Sequence, residues 1–249
     1  MIFEEVTNCP LCDRDRHYHK YHVTGKMHKC IDGNDEIIYL ICECGFIFQI
    51  FKMTQETLEE YYNGPYREYC GTAEVTASNV IEQLVRANKV VGFLYNEIEP
   101  NDALDIGSST GWVLKAFRDI YGCQVIGIEL SDKFREYSRK LGVDALRDIK
   151  HLKRNRKFDL ITILQTLEHF NEPLVLLKKV RKLITEDGTL AIEVPLVRQG
   201  VAHNAYRLAH PVAFTKETFE MILNKAGFAI EKEILTDKNI LVKAYCEAS

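Results

Sequence analysis

Three groups of residues in this 249-residue chain have types and spacings suited to chemistry. The first is sulfur: Cys9-Pro10-Leu11-Cys12 and, later, Cys42-Glu43-Cys44-Gly45. Two close thiol pairs separated by a loop suit tetrahedral zinc, because each tight turn offers two thiolates and the metal closes the loop between them. Cys9, Cys12, Cys42 and Cys44 are the expected ligands, with Cys30 and His28 as alternative donors. The second group is a small-residue turn, Gly107 to Gly111, set between two apolar runs. Ala103 to Ile106 precedes it and contains Asp105; Val125 to Ile128 follows a helical pattern and ends on Glu129. Glycines there let a backbone pass close to a ligand at φ angles that a Cβ forbids. A carboxylate that ends the next strand can accept both hydroxyls of a ribose. The third group is acid and imidazole: Glu168-His169 just after a long apolar run, and His210 in a long polar connection. An imidazole, with its ordinary pKa of roughly 6.5, suits proton removal near neutrality, so His210 is the first candidate for a general base, with Glu168 and His169 next.

The stretch from Ala103 to Leu130 resembles the cofactor-binding motifs of the class I S-adenosylmethionine-dependent methyltransferases, whose first motif commonly reads aliphatic-Leu-Asp-Ile-Gly-x-x-x-Gly. Leu167-Glu168-His169 followed by Asn171-Glu172-Pro173 is similar to a later part of that pattern, so the resemblance runs from about residue 76 to the end. It implies that S-adenosylmethionine meets Asp105, Gly107, Ser108, Gly111, Glu129 and Leu130, that Asp148 takes the adenine amino group, and that Leu164 or Gln165 lines the far wall. The dinucleotide fingerprint Gly-x-Gly-x-x-Gly is absent, which disfavours a nicotinamide or flavin enzyme. The N-terminal segment resembles the zinc-ribbon-like module that precedes sugar C-methyltransferases, although Ile41 stands where those proteins place the first cysteine of their second pair. By the same resemblance Tyr66 and Tyr69 are lid residues over the cofactor, and His210, ahead of Phe214-Thr215, is the catalytic base. Those enzymes carry Tyr and Glu just upstream, where this chain has Arg207 and Ala209. Glu168-His169 with a later histidine also looks like the divalent-metal set of the small-RNA ribose methyltransferases and some quinone O-methyltransferases, with Gln165 where those families hold an acid.

Elements must position these groups. The first fifty or so residues hold most of the cysteines without long helical periodicity, which suits a small metal-stapled module at residues 1–53. Residues 54–75 read as a short helix and an aromatic linker, in which Tyr61 and Tyr62 are expected to pack at the junction. From residue 76 onward the pattern alternates helix and apolar strand. A helix over Thr76–Glu97 is expected to lay Val80, Ile81, Leu84, Val85, Val91 and Leu94 against a sheet. Phe158 to Leu164 reads as a central strand, Thr189 to Val194 as another, and two closing strands follow a helix capped by Thr215. The expected fold is α/β: a Rossmann-like, seven-stranded, mostly parallel sheet with helices on both faces at residues 76–249, plus the N-terminal zinc module.

Composition narrows the function. A formal charge of -4 gives no general attraction to nucleic acid, and only Lys150 to Lys157 forms a basic run. No apolar run approaches bilayer length and the N-terminus lacks a secretory pattern, so a cytoplasmic protein without a membrane partner is expected. Eight cysteines in such a chain are expected as thiols or metal ligands rather than disulfides. The expectation is a methyltransferase that acts on a small polar acceptor such as a sugar, a nucleotide sugar or a hydroxylated metabolite, with His210 as base. The rivals are a methyltransferase of RNA or another macromolecule, possibly with a divalent metal, and a cofactor-binding interaction protein without turnover.

Overall fold

The computed structural model describes residues 2–15, 17–24, 36–64, 74–197 and 205–247. Its main sheet has seven strands: β6 (Asp102–Ile106), β7 (Gln124–Ile128), β8 (Asp144–Leu146), β9 (Phe158–Leu164), β10 (Ile184–Pro195), β12 (Phe228–Leu235) and β13 (Asn239–Cys246). Their order is β12-β13-β10-β9-β6-β7-β8. From β10 to β8 all neighbours are parallel, while β13 runs antiparallel to both β10 and β12. The expected seven-stranded, mostly parallel sheet is therefore present.

Side-chain alternation sorts the two faces of the sheet. Leu104, Ile106, Ile161, Ile163, Leu190 and Ile192 pack on one face with α5 (Pro173–Leu183) and α6 (Lys216–Lys225). Ala103, Leu160, Leu164 and Ala191 pack on the other with α2 (Ala77–Leu94) and α3 (Trp112–Tyr121). Helix α4 (Asp132–Lys140) joins β7 to β8. Local sequence sets the helix starts. Thr76 and Thr215 each close a capping box, and Pro173 occupies the first turn of α5, where its missing N–H costs nothing.

Helix α2 departs from the expected face. Ile81 and Val85 are 60% and 64% exposed, whereas Asn79, Gln83, Ala87, Val90, Val91 and Leu94 are buried. The apolar stripe holds only in the second half of the helix; in the first half polar residues turn inward. Strand β10 also starts earlier than expected, at Ile184, with an irregularity before Thr189.

The N-terminal residues build β1 (Phe3–Glu5), β2 (His17–Thr24), β3 (Glu36–Cys42), β4 (Ile47–Gln49), β5 (Phe51–Met53) and α1 (Gln55–Asn63). The long connection after β10, expected to hold no strand, contributes a short one, β11 (Val212–Ala213), which completes a four-stranded sheet β11-β4-β3-β2. Its register, Val212 with Phe48 and Ala213 with Ile47, hooks that connection onto the N-terminal sheet. A shared core of Tyr39, Ile47, Met53, Tyr61, Leu208 and Ala209 seals the junction. No helix among the described residues is long and apolar enough to cross a membrane.

Candidate active site

A cleft of about 1460 Å³ opens beyond the carboxyl ends of the parallel strands, where doubly wound sheets bind ligands. A single small-ligand pocket usually measures roughly 300–1,000 Å³, so the cleft has room for two molecules side by side. Gly107, Glu129, Leu130, Asp148 and Gln165 line it together with Glu168, His169 and His210.

The cofactor half is shaped by backbone. Gly107 has φ +82°, and a Cβ there would lie 2.3 Å from the Thr166 hydroxyl oxygen, so only glycine fits. Gly111, at φ +81°, begins α3 and would collide with Ser138 if it bore a side chain. Glu129 sits at the end of β7 and accepts from the Ser109 and Ser131 amides at 3.0 and 2.8 Å, which fixes its carboxylate at the cleft. Asp148 lies beyond β8 and accepts from the Lys150 amide at 2.9 Å.

Asp105, expected to meet the cofactor, is not among the residues that line the cleft. It pairs in register with Thr162 on β9, whose hydroxyl donates to it at 2.7 Å, and it faces the α2–α3 layer rather than lining the cleft. Burial pushes its carboxyl up to about 7. Ser108 is fully buried and Gly111 lies behind the turn, so neither is among the lining residues. Tyr66 and Tyr69 lie outside the described residues, as do His28 and Cys30.

At the other end of the cleft Glu168, His169 and His210 converge, with one potential ligand atom from each within 4.8 Å of the others. The first two stand on a short 3-10 turn, Leu167–His169, directly after β9. The imidazole rings meet edge-on at 4.7 Å between centroids. Each Nδ1 lies 2.9 Å from a backbone carbonyl, that of Ala209 for His169 and that of Ala205 for His210. A carbonyl only accepts, so each Nδ1 holds a proton, and in a neutral ring the lone pair is then on Nε2. His169 Nε2 lies 4.0 Å from Glu168 Oε1. Glu168 Oε2 is buried with no hydrogen-bond partner. Burial, which penalises the ionised form, pushes the Glu168 carboxyl up to about 8. Burial and the neighbouring His169 hold His210 well below the ordinary imidazole range. Gln165 joins β9 to this turn at φ +53°, and its Nε2 is buried without a hydrogen-bond partner. Non-glycine residues in that region cluster at functional sites.

The N-terminal residues hold this end in place. The Tyr39 hydroxyl lies 2.8 Å from both the Arg207 and His210 carbonyls, and the Gln49 Nε2 reaches the Arg207, Leu208 and His210 carbonyls at 2.8, 3.2 and 2.9 Å. The Gln49 amide donates to Pro211 at 2.8 Å. Tyr62, expected only to pack, also reaches the site: its hydroxyl donates to the Ala209 carbonyl at 2.8 Å and lies 2.6 Å from His169 Nδ1.

A second cluster lies away from the cleft. Cys9, Cys12, Cys42 and Cys44 bring their sulfurs within 4.8 Å of one another, with Cys9 to Cys44 at 3.7 Å and Cys12 to Cys42 at 3.5 Å. A zinc tetrahedron with bonds of about 2.3 Å has sulfur–sulfur edges of about 3.8 Å, so four thiolates in this arrangement fit zinc. Burial raises the Cys9 thiol and pushes that of Cys44 up to about 11, a penalty on thiolates that a bound cation would reverse.

Sequence reading missed Tyr62, Gln49, Arg86 and Arg207 as parts of the site. One local signal was available: Asn79, Gln83 and Arg86 recur at helical spacing, a polar stripe of α2 that faces the cleft.

Residues 79–233, more than half of the chain, match the family described as "Methyltransferase domain". No curated protein matches the chain. Among solved structures the fold is similar to that of the mitomycin 7-O-methyltransferase MmcR, at 18% identity and a TM-score of 0.60, over 78% of this chain and 61% of that one. It is also similar to magnesium protoporphyrin IX methyltransferase of Synechocystis with bound SAH, at 16% identity and a TM-score of 0.59, over 78% of this chain and 100% of that one. A third similar structure is an S-adenosylmethionine-dependent methyltransferase of Clostridium acetobutylicum, at 14% identity and a TM-score of 0.55, over 78% and 98%. The chain thus spans less than two thirds of the mitomycin enzyme's length and all of the protoporphyrin enzyme's.

Proposed function

Because this chain belongs to the methyltransferase domain family and is an S-adenosylmethionine-dependent methyltransferase, we propose that its acceptor is a small, polar, hydroxylated molecule. A sugar, a nucleotide sugar or another hydroxylated metabolite would fit, held at the Glu168–His169–His210 end of the cleft. The cofactor supplies an already activated methyl group, so the protein's work is alignment and proton removal. Glu129 binds the ribose hydroxyls and Asp148 the adenine, while Gly107 lets the backbone approach. The observation that carries the acceptor assignment is the state of His210. Its Nδ1 proton is committed to Ala205, its ring is neutral, and it lines the cleft. His210 takes the acceptor's proton at Nε2, and Tyr62 and the Ala209 carbonyl steady His169 beside it.

Labelled S-adenosylmethionine, offered with sugars, nucleotide sugars, other hydroxylated metabolites and RNA, tests this. Label should enter a small hydroxylated compound; label entering only RNA would overturn the acceptor class. In the same preparation Glu129→Ala should weaken cofactor binding by about 1.5–3 kcal/mol, the usual weight of a hydrogen bond to a charged group. Calorimetry that finds the affinity unchanged would remove Glu129 from the cofactor site.

A second reading rests on a specific observation, the unpartnered Glu168 Oε2 within a set of three potential ligands. Two imidazoles and a carboxylate would hold a divalent cation, which would lower the acidity barrier of an acceptor hydroxyl. Carbonyls that fix both Nδ1 atoms are what metal-bound histidines ordinarily have behind them.

For residues 1–53 we propose a zinc-binding module with Cys9, Cys12, Cys42 and Cys44 as ligands and a structural role, since four protein thiolates leave no open position for chemistry.

A further inference from the structure

Proceeding from the methyltransferase reading above, we propose that the acceptor carries an anionic group, a carboxylate or a phosphoryl group, gripped between Arg86 and Arg207 beside the reacting end of the cleft.

Both arginines line the cleft. Arg86 comes from the polar stripe of α2, and Arg207 from the segment that leads to His210. Arg207 shares a turn with His210, whose amide donates to the Arg207 carbonyl at 2.9 Å while Tyr39 and Gln49 hold the carbonyls of both residues, and Arg86 faces the same cleft from α2. Of the other cations that line the cleft, Lys52 pairs with Glu4, Arg147 with Glu59 and Lys150 with Asp148, while Lys179 and Lys238 have no acid within ion-pair distance among the described residues. Among the described residues neither Arg86 nor Arg207 lies within ion-pair distance of an acid, and the Arg207 Nε is buried without a hydrogen-bond partner.

Glu168 does not serve as their counterion. No arginine bonds to it, its Oε2 is unpartnered, and its contact at ion-pair distance is His169. Two guanidiniums at the wall of a half-enclosed cleft, one with a buried N–H unsatisfied, carry an electrostatic cost that an acid from outside would offset. Arginine suits that role better than lysine, because its planar fork binds both oxygens of a carboxylate or phosphoryl group. Since Arg207 stands on the turn that ends at the base, the anion lies on the part of the acceptor near the methylated atom. The substrate class is therefore a hydroxylated acid or a phosphorylated hydroxy compound.

The experiment uses the full chain saturated with S-adenosylhomocysteine, whose own binding is measured first by calorimetry. Malonate and inorganic phosphate are then titrated as carboxylate and phosphoryl probes, with erythritol as the neutral control. At least one anion should bind, less tightly as sodium chloride is raised. Arg86→Gln and Arg207→Gln should each weaken it by roughly ten- to a hundredfold without changing S-adenosylhomocysteine affinity. Binding of malonate alone assigns a carboxylate, and of phosphate alone a phosphoryl group. If neither anion binds, if erythritol binds as well as they do, or if both variants keep full affinity, the proposal is overturned. Should a glutamine variant fail to fold, Arg86→Lys and Arg207→Lys keep the charge and lose the fork, and anion binding unchanged in both would overturn it equally. Failure of S-adenosylhomocysteine itself to bind would instead sink the cofactor assignment on which this rests.

Discussion

The two clusters of potential metal ligands in this protein share a compactness of 4.8 Å and differ in everything else. The cysteine cluster draws four identical soft donors from two tight turns and closes on itself. The Glu168–His169–His210 cluster draws unlike donors from a turn after β9 and a segment after β10, and it lies in the wall of a large cleft. Four protein donors complete a tetrahedron and leave a metal nothing to do but hold chains together; three donors beside open space leave a position for a substrate. The separation between them is not complete. Gln49 and β11 belong to the sheet that adjoins the cysteines, and they also hold the carbonyls around His210.

The largest expected effect tests the closed cluster. Zinc-finger peptides gain roughly 10–16 kcal/mol from their metal, so Cys12→Ser or stripping of zinc should unfold the N-terminal sheet outright. Elemental analysis should find one zinc per chain, and protein prepared without chelators that contains none would end the assignment. Because β11 is part of that sheet, turnover should vanish along with it while S-adenosylmethionine binding at Glu129 persists. Loss of both together would show that the two regions are not separable.

The open cluster is tested next. A positioned base contributes about a hundredfold to ten-thousandfold in rate. His210→Ala should lower turnover by that order and leave cofactor affinity unchanged, with His169→Ala milder. Under the metal reading Glu168→Gln, His169→Ala and His210→Ala should be equally severe. A chelator too weak to strip zinc should then abolish turnover, and manganese or magnesium should restore it. Turnover that is indifferent to the chelator removes the metal reading.

Much of this arrangement is legible in the sequence, and the physical reason is locality. Phe158 to Leu164 is a near-continuous apolar run, so its strand is read to the residue. Gly107 and Glu129 declare themselves because a turn and a strand end set their geometry locally. Helix α2 misleads in its first half, since Ile81 and Val85 imitate a core stripe while Asn79, Gln83 and Arg86 hold the inward face. Arg207, Gln49 and Tyr62 reach this end of the cleft only through contacts between segments far apart in the chain, which no local pattern encodes. The bond that Asp105 accepts from Thr162 follows from strand register, which no local pattern encodes either.

That buried acid offers a control of intermediate size. The Asp105 carboxyl, held near 7 by burial rather than at its ordinary 3.8, binds a proton more tightly in the folded chain. Its contribution to stability is therefore full below about pH 4 and is lost as pH rises through 7, a change on the order of 4 kcal/mol. Asp105→Asn still accepts from the Thr162 hydroxyl and should flatten that part of the profile. A melting temperature with the same slope in the variant would show that the carboxyl titrates normally.

The smallest effect concerns the link between the two regions. The Gln49 amide group spans three carbonyls, those of Arg207, Leu208 and His210, and its side chain is buried. Gln49→Leu keeps the volume and leaves those carbonyls with fewer donors, at about 0.5–1.5 kcal/mol for each hydrogen bond lost. Tyr39 still serves two of them, so the protein should fold. If the N-terminal sheet positions the His210 segment, kcat should fall severalfold at a stability loss too small to depopulate the folded state. Cofactor affinity should not change, and the pH profile of kcat should shift as the burial of His210 relaxes and its pKa rises toward the ordinary value. A variant that is destabilised yet keeps the parent's kcat and pH profile would show that the sheet only stores stability, and that the catalytic segment is set by Tyr62 and the main sheet instead.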